Sequence, residues 1–191
     1  MTRITKEPEI RRQEILTAAQ KLFVEKGFNH TSMSDIANEL DIASGLVYHY
    51  YKSKLDLLYS VIGMIADGET AASIKLIESY PGTARECLDM MLSNEKKKYE
   101  YDKFACSIAN DQVILDYVRD RMVRSFAPVL TALIIRGNED GSWNCDYPEE
   151  TTNFIIQGMV GTVKLTDSAD QKDKMEKVVM SIVFKLLGAK Q

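Results

Sequence analysis

The sequence predicts an all-α protein of about nine helices: an N-terminal three-helix helix-turn-helix domain, then a larger C-terminal helical domain. Three observations lead there. Apolar residues recur at helical spacing, as in Ile15, Ala19, Leu22 and Phe23, then Ile36, Ala37 and Leu40, then Leu55, Leu58, Ile62 and Ile65. No stretch sustains the alternation of a strand, and the one Asp-Gly pair, Asp140-Gly141, lies between helical patterns. Between residues 32 and 50, two short helical patterns meet at a tight turn.

The first helix starts near Pro8, whose missing N–H costs nothing in a first turn, and stops at Gly27, a left-handed cap with Lys26 complementing the helix dipole. Two short helices follow over 33–40 and 44–50. A long one runs from Lys54 toward Ser79, where Pro81-Gly82 interrupts the chain. Further helices are expected over 83–100, 104–118, 120–136, 148–165 and 170–187. The segment from Arg136 to Tyr147 reads as a loop, and Pro148 opens the helix after it with Glu149 and Glu150 in its first turn. The domain boundary is placed between residues 52 and 53.

Composition narrows the function. With 45% hydrophobic residues, 27% charged, four prolines and ten glycines in 191 residues, the chain builds a real core and is not low-complexity. No apolar run approaches the length of a membrane span, and the polar start MTRITKEPEIRRQE is not that of a signal peptide. Cys87, Cys106 and Cys145, odd in number and far apart, fit a reducing cytoplasm and no disulfide framework. Both histidines lie in the first 50 residues, no cysteine stands at metal-ligand spacing, and no nucleophile-elbow, phosphate-loop or dinucleotide motif occurs, so no metal, cofactor or catalysis is expected. Of the net charge of −4, residues 1–54 contribute +1 and the remainder −5. A near-neutral head on an acidic body suits a reader of DNA that touches few phosphates.

The informative stretch is residues 31–58. Ser32 is an N-cap candidate, with Asp35 three residues on in the place of a capping-box Glu. Ile36, Ala37 and Leu40 form the buried stripe of the first short helix, and Asp41-Ile42-Ala43 makes the turn. On the second, Val47 and Tyr51 continue onto Leu55 and Leu58 and face the core. Gly45, Tyr48, His49 and Lys52 fall on the other side, an acid-free face of donors and flat rings that suits a major groove. Lys52 and Lys54 are placed for phosphates, as is Ser32 at a helix start, while Arg3 and Lys6 lie on an arm able to reach the backbone or minor groove. His30 reads as loop, and Lys96-Lys97-Lys98, beside Glu95 and Glu100, as a solvated face.

These residues resemble the DNA-binding signature of the tetracycline-repressor (TetR) family. The resemblance is carried by Gly27-Phe28, by Ser32 through Ile36-Ala37, by Asp41 through Tyr51, and by Ser53-Lys54 with Leu57, covering residues 8–58. It implies that Ser32, Ser34, Ser44, Gly45, Leu46, Tyr48, His49, Tyr50 and Lys54 occupy DNA-contacting positions. Three residues depart from the pattern. Asp41 replaces a turn glycine, Ala43 replaces an N-cap serine so that Ser44 is a candidate to cap the helix one residue later, and Leu55 replaces a glutamate.

For the body, the resemblance implies a homodimer through helices 148–165 and 170–187, and release from double-stranded operator DNA by an effector. The last helix carries Met175, Val178, Val179, Ile182, Val183, Leu186 and Leu187, apolar on more sides than a lone surface helix needs. An apolar small-molecule pocket among Met64, Met90, Met91, Tyr101, Phe104, Met122, Phe126 and Met159 is the corresponding expectation, with Trp143 a further candidate. Any single methionine is read first as core filler. Two other readings stand beside this one: an effector-free DNA-binding protein whose body only dimerises, and an all-helical small-molecule enzyme.

Overall fold

The computed structural model describes residues 7–92, 112–162 and 169–188. Among them the secondary structure is entirely helical: α1 (Pro8–Lys26), α2 (Met33–Glu39), α3 (Ser44–Tyr50), α4 (Lys54–Ser79), α5 (Ala84–Leu92), α6 (Gln112–Asp140), α7 (Pro148–Thr162) and α8 (Ala169–Leu186). The described residues contain no helix long and apolar enough to cross a membrane.

Two compact units result. One takes in residues 7–65 and 112–117, the other residues 66–92, 118–162 and 169–188. The first unit buries one face of α1 (Ile15, Leu16, Ala19, Leu22, Phe23) against Met33, Ile36 and Ala37 of α2, Val47 of α3, Tyr51, and Leu57, Leu58, Val61 and Ile62 of α4. Phe28 meets the Phe23 ring edge-on at 5.4 Å between centroids. The second unit has its own core of Ile77, Cys87, Leu133, Ile134, Trp143, Ile155, Val183 and Leu187.

Two expectations are corrected. The break predicted between helices 104–118 and 120–136 does not occur, because α6 is continuous through residue 119. No glycine or proline stands there, and Arg124 Nε pairs with Asp120 Oδ2 at 3.0 Å, one turn apart. Pro128 lies inside the same helix without ending it. The loop predicted from Arg136 begins only at Gly141, since α6 runs on to Asp140. Tertiary contacts hold the added turn: Trp143 Nε1 donates to the Ile134 carbonyl at 2.9 Å, and Asn138 bonds the Cys145 N–H and carbonyl at 2.9 and 2.8 Å. The expected helix 83–100 is observed as α5, and its continuation lies outside the described residues, as do the start of 104–118, the arm with Arg3 and Lys6, Lys96-Lys97-Lys98 and Cys106.

Candidate nucleic-acid interface

The path from α1 to α4 is set by short-range polar contacts. Gly27 takes φ 87° and ψ 152°, a conformation essentially closed to other residues, and its N–H reaches the Phe23 carbonyl at 3.1 Å. Thr31 then turns its hydroxyl back onto the carbonyls of Gly27 (2.8 Å) and Leu22 (3.3 Å), which ties the turn to the end of α1. Ser32 forms the capping box. Its Oγ accepts from the Asp35 N–H at 3.1 Å, while Asp35 Oδ2 accepts from the Ser32 N–H at 2.7 Å and its hydroxyl at 2.6 Å. Those hydrogen bonds from Ser32, side chain first, hold the Asp35 carboxyl below the ordinary carboxylate range.

Asp41 makes the turn with φ 52°, the one positive φ outside glycine among the described residues. The Ile42 N–H bonds the Ala37 carbonyl at 3.0 Å and folds the chain toward α3. The expected shift of the cap from Ala43 to Ser44 is not found: α3 starts at Ser44, with Ala43 in extended backbone at the cap position and no side-chain cap. The Ala43 carbonyl accepts from Leu46 N–H at 2.9 Å, so the backbone fixes the start that a serine hydroxyl would have secured. Across the unit, Lys21 Nζ meets Glu39 Oε1 at 2.6 Å and ties α1 to α2. This hydrogen-bonded pair lowers the Glu39 pKa and raises that of Lys21.

The faces of α3 fall as their spacing predicts, but Leu55, expected on the same core-facing stripe, is 37% exposed. Val47 and Tyr51 are buried, and the Tyr51 ring lies beneath the Arg12 guanidinium at 5.2 Å with burial pushing its phenol up. Ser44, Gly45, Tyr48 and His49 are exposed, Tyr48 to 53%, while Leu46 and Tyr50 are half-buried. Nothing lies within 4 Å of where a Gly45 Cβ would be, so that side of the helix is open. His49 and Tyr50 pack edge-on at 5.3 Å. Ser32 and Ser34 are exposed on the neighbouring α2 segment. Lys54 is more constrained than its type suggests: Nζ donates to the Phe28 carbonyl at 2.9 Å and sits 4.4 Å from the centre of that ring.

Two features of this surface escaped the reading by motif. Ser53 accepts from the Asp56 N–H at 3.0 Å and Asp56 from the Lys52 N–H at 3.0 Å, so α4 starts with a Ser-x-x-Asp spacing like that of α2, its aspartate reaching the residue before the serine. His30, read as loop, shares a cleft with Ser32, Tyr48 and Lys54.

Of the residues expected to line an effector pocket, the side chains of five are described. Met64 belongs to the first unit, where its sulfur accepts from Gln13 Nε2 at 2.9 Å. Met90 and Met91 are half-buried on α5, Met91 against the second core, whereas Phe126 and Met159 are exposed. Trp143 is a core residue, 3% exposed. Tyr101 and Phe104 lie outside the described residues, as does the side chain of Met122. Among the described residues no group of His, Cys, Asp or Glu is placed to hold a metal.

Three packed helices with α3 exposed on its outer side form a helix-turn-helix module. Residues 15–61 match the family model described as bacterial regulatory proteins, tetR family. Over 59 residues it is 39% identical to the HTH-type transcriptional regulator HbdR of Aromatoleum sp. (strain CIB), a stretch that is 31% of this chain and 26% of that one. Over 63 residues it is 35% identical to the HTH-type transcriptional repressor BepR of Brucella suis biovar 1, covering 33% and 30% respectively. The matches thus span under a third of these relatives' length. The fold extends further. Salmonella enterica GusR aligns with a TM-score of 0.63 at 20% identity over 97% of this chain and 99% of its own, and Escherichia coli NemR in its reduced form with 0.63 at 15% over 93% and 97%.

Proposed function

We propose that the protein is a sequence-specific DNA-binding transcriptional regulator, a repressor released from its operator by a small-molecule effector. The observation that carries this reading is α3 itself. Its inner side is the buried Val47, and its outer side offers Ser44, Gly45, Tyr48 and His49 with no acidic residue in the helix. Such a helix enters a major groove without electrostatic penalty and reads base edges with rings and donors. Leu46 and Tyr50 flank that face. Ser32, Ser34 and Lys54 contact phosphates, Lys54 with the ammonium protons that Phe28 leaves unused.

Residues 1–52 serve as the DNA-binding domain and 53–191 as the ligand-binding and dimerisation domain. The second unit supports pairing with another copy of the chain through 148–165 and 170–187. Val178, Ile182 and Leu186 stand exposed one turn apart on α8, with Phe154 and Met159 exposed on α7. A two-fold dimer then reads a roughly palindromic operator with half-sites about one helical turn apart or slightly more. An apolar effector taken up by the body releases DNA by preferring the form whose heads no longer match that spacing. The protein acts in the cytoplasm, and no catalytic activity is assigned to it.

The experiment is a titration of purified protein against the DNA immediately upstream of its own gene, and against a random duplex pool, with and without Tyr48→Ala. Specific binding that Tyr48→Ala weakens by about tenfold to a hundredfold supports the reading, as one lost base contact is worth about 1–3 kcal/mol. Binding to every fragment with equal affinity overturns it. The effector part fails if no ligand that binds the body tightly changes operator affinity.

A further inference from the structure

Two residues of α7 have no use within their own chain. Phe154 is 69% exposed in mid-helix, where its ring keeps a large apolar surface in water. Gly158, one turn later in the same row, weakens the helix at a position where nothing lies within 4 Å of a would-be Cβ. The inward side of the helix is taken by Thr152, Ile155 and Ile156, all buried, so the ring and the gap both lie on the outer side. Gly63 and Gly68 of α4 are equally open, but no exposed aromatic stands one turn from either.

We propose that Phe154 seats over Gly158 of the partner subunit, and that this reciprocal pairing sets the register of the dimer, an inference that rests on the dimerisation proposed above. A two-fold axis maps each contact onto its twin, so a helix that carries a ring and a gap one turn apart is complementary to itself. Both pairs form at once when the two copies of α7 cross midway between the two positions. The missing Cβ lets a ring settle against the helix backbone, and the apolar surface of both rings leaves water. A partner other than a second copy would have to bring a ring and a gap of its own at the same spacing. On α8 the exposed Val178, Ile182 and Leu186 add apolar area with no such relief, whereas the row on α7 fixes how the two copies line up.

The test is sedimentation of the full chain as wild type, as Gly158→Phe and as Phe154→Gly/Gly158→Phe. Both positions are exposed, so neither substitution reaches the core. Gly158→Phe sets ring against ring twice in each dimer and is expected to raise the dimer dissociation constant by about a hundredfold. The double variant exchanges ring and gap at the same spacing and is expected to return that constant to within about tenfold of wild type. A Gly158→Phe chain that had merely misfolded would not be rescued by a second substitution to glycine. Gly158→Phe pairing as tightly as wild type, or a double variant as weak as Gly158→Phe, overturns the pairing of Phe154 with Gly158 while leaving the dimer of the wild type intact. A wild type that sediments as a monomer overturns the proposed dimer and this inference together.

Discussion

In the first unit, the turns that aim α2, α3 and α4 are closed by residues three to five apart: Ser32 with Asp35, Ala37 with Ile42, Ser53 with Asp56. In the second, local closures such as Thr83 with Glu86 are joined by others between residues far apart in the chain. Arg136 donates to the carbonyls of Tyr80 and Gly82, Asp140 Oδ2 accepts from the Ala84 N–H at 2.6 Å, and the Asn144 N–H bonds the Leu187 carbonyl at 3.0 Å. Their open surfaces differ as well. The first unit presents hydroxyls, an imidazole and a phenol on α3, whereas the second presents a stripe of aliphatic side chains on α8. Local closure lets a short sequence carry a whole recognition geometry. Long-range closure leaves no short pattern behind, and an aliphatic stripe asks for a protein partner rather than a nucleic acid.

The sharpest way to break that contrast is to charge the aliphatic stripe. Ile182, 51% exposed in the single chain, is expected to be buried in a dimer. Ile182→Glu should convert dimer to monomer in sedimentation and abolish tight operator binding, because half-sites are then no longer linked. Tyr48→Ala should leave the dimer untouched and lose only DNA. A dimer that survives Ile182→Glu would place the pairing surface elsewhere.

A second, smaller effect probes the long-range closure. A Cβ on Gly137 would lie 1.9 Å from the Trp143 ring, itself pinned to the Ile134 carbonyl. Gly137→Ala should therefore destabilise the protein by about 1–3 kcal/mol and shift the emission of its one tryptophan. Unchanged stability and emission would show that the loop after α6 moves freely.

The smallest change concerns local closure. Asp41 holds φ 52°, which a glycine adopts without strain. Asp41→Gly should stabilise the protein by about 0.5 kcal/mol in denaturant titration, with operator specificity retained. Altered specificity would mean that Asp41 also sets the register of α3.

The first unit was therefore largely legible. Pro8 and Gly27 bound α1, Ser32 and Asp35 start α2, and the spacing of Val47 and Tyr51 separates the two faces of α3. The start of α3 was not, because Ala43 offers no side-chain cap and a main-chain bond to Leu46 decides it. Nor was His30, whose neighbours in the cleft come from three different helices.

Composition, apolar period and the Ser-x-x-Asp spacings by themselves determined an all-helical chain with a helix-turn-helix at its start, because those signals act within one or two turns of helix. Only the tertiary structure decided that α6 passes residue 119, that it extends to Asp140, and that Trp143 belongs to the core. The last two depend on bonds outside the helical pattern, from Trp143 Nε1 to the Ile134 carbonyl and from the Asn144 N–H to that of Leu187, and such pairings are selected by packing rather than by any local preference of the backbone.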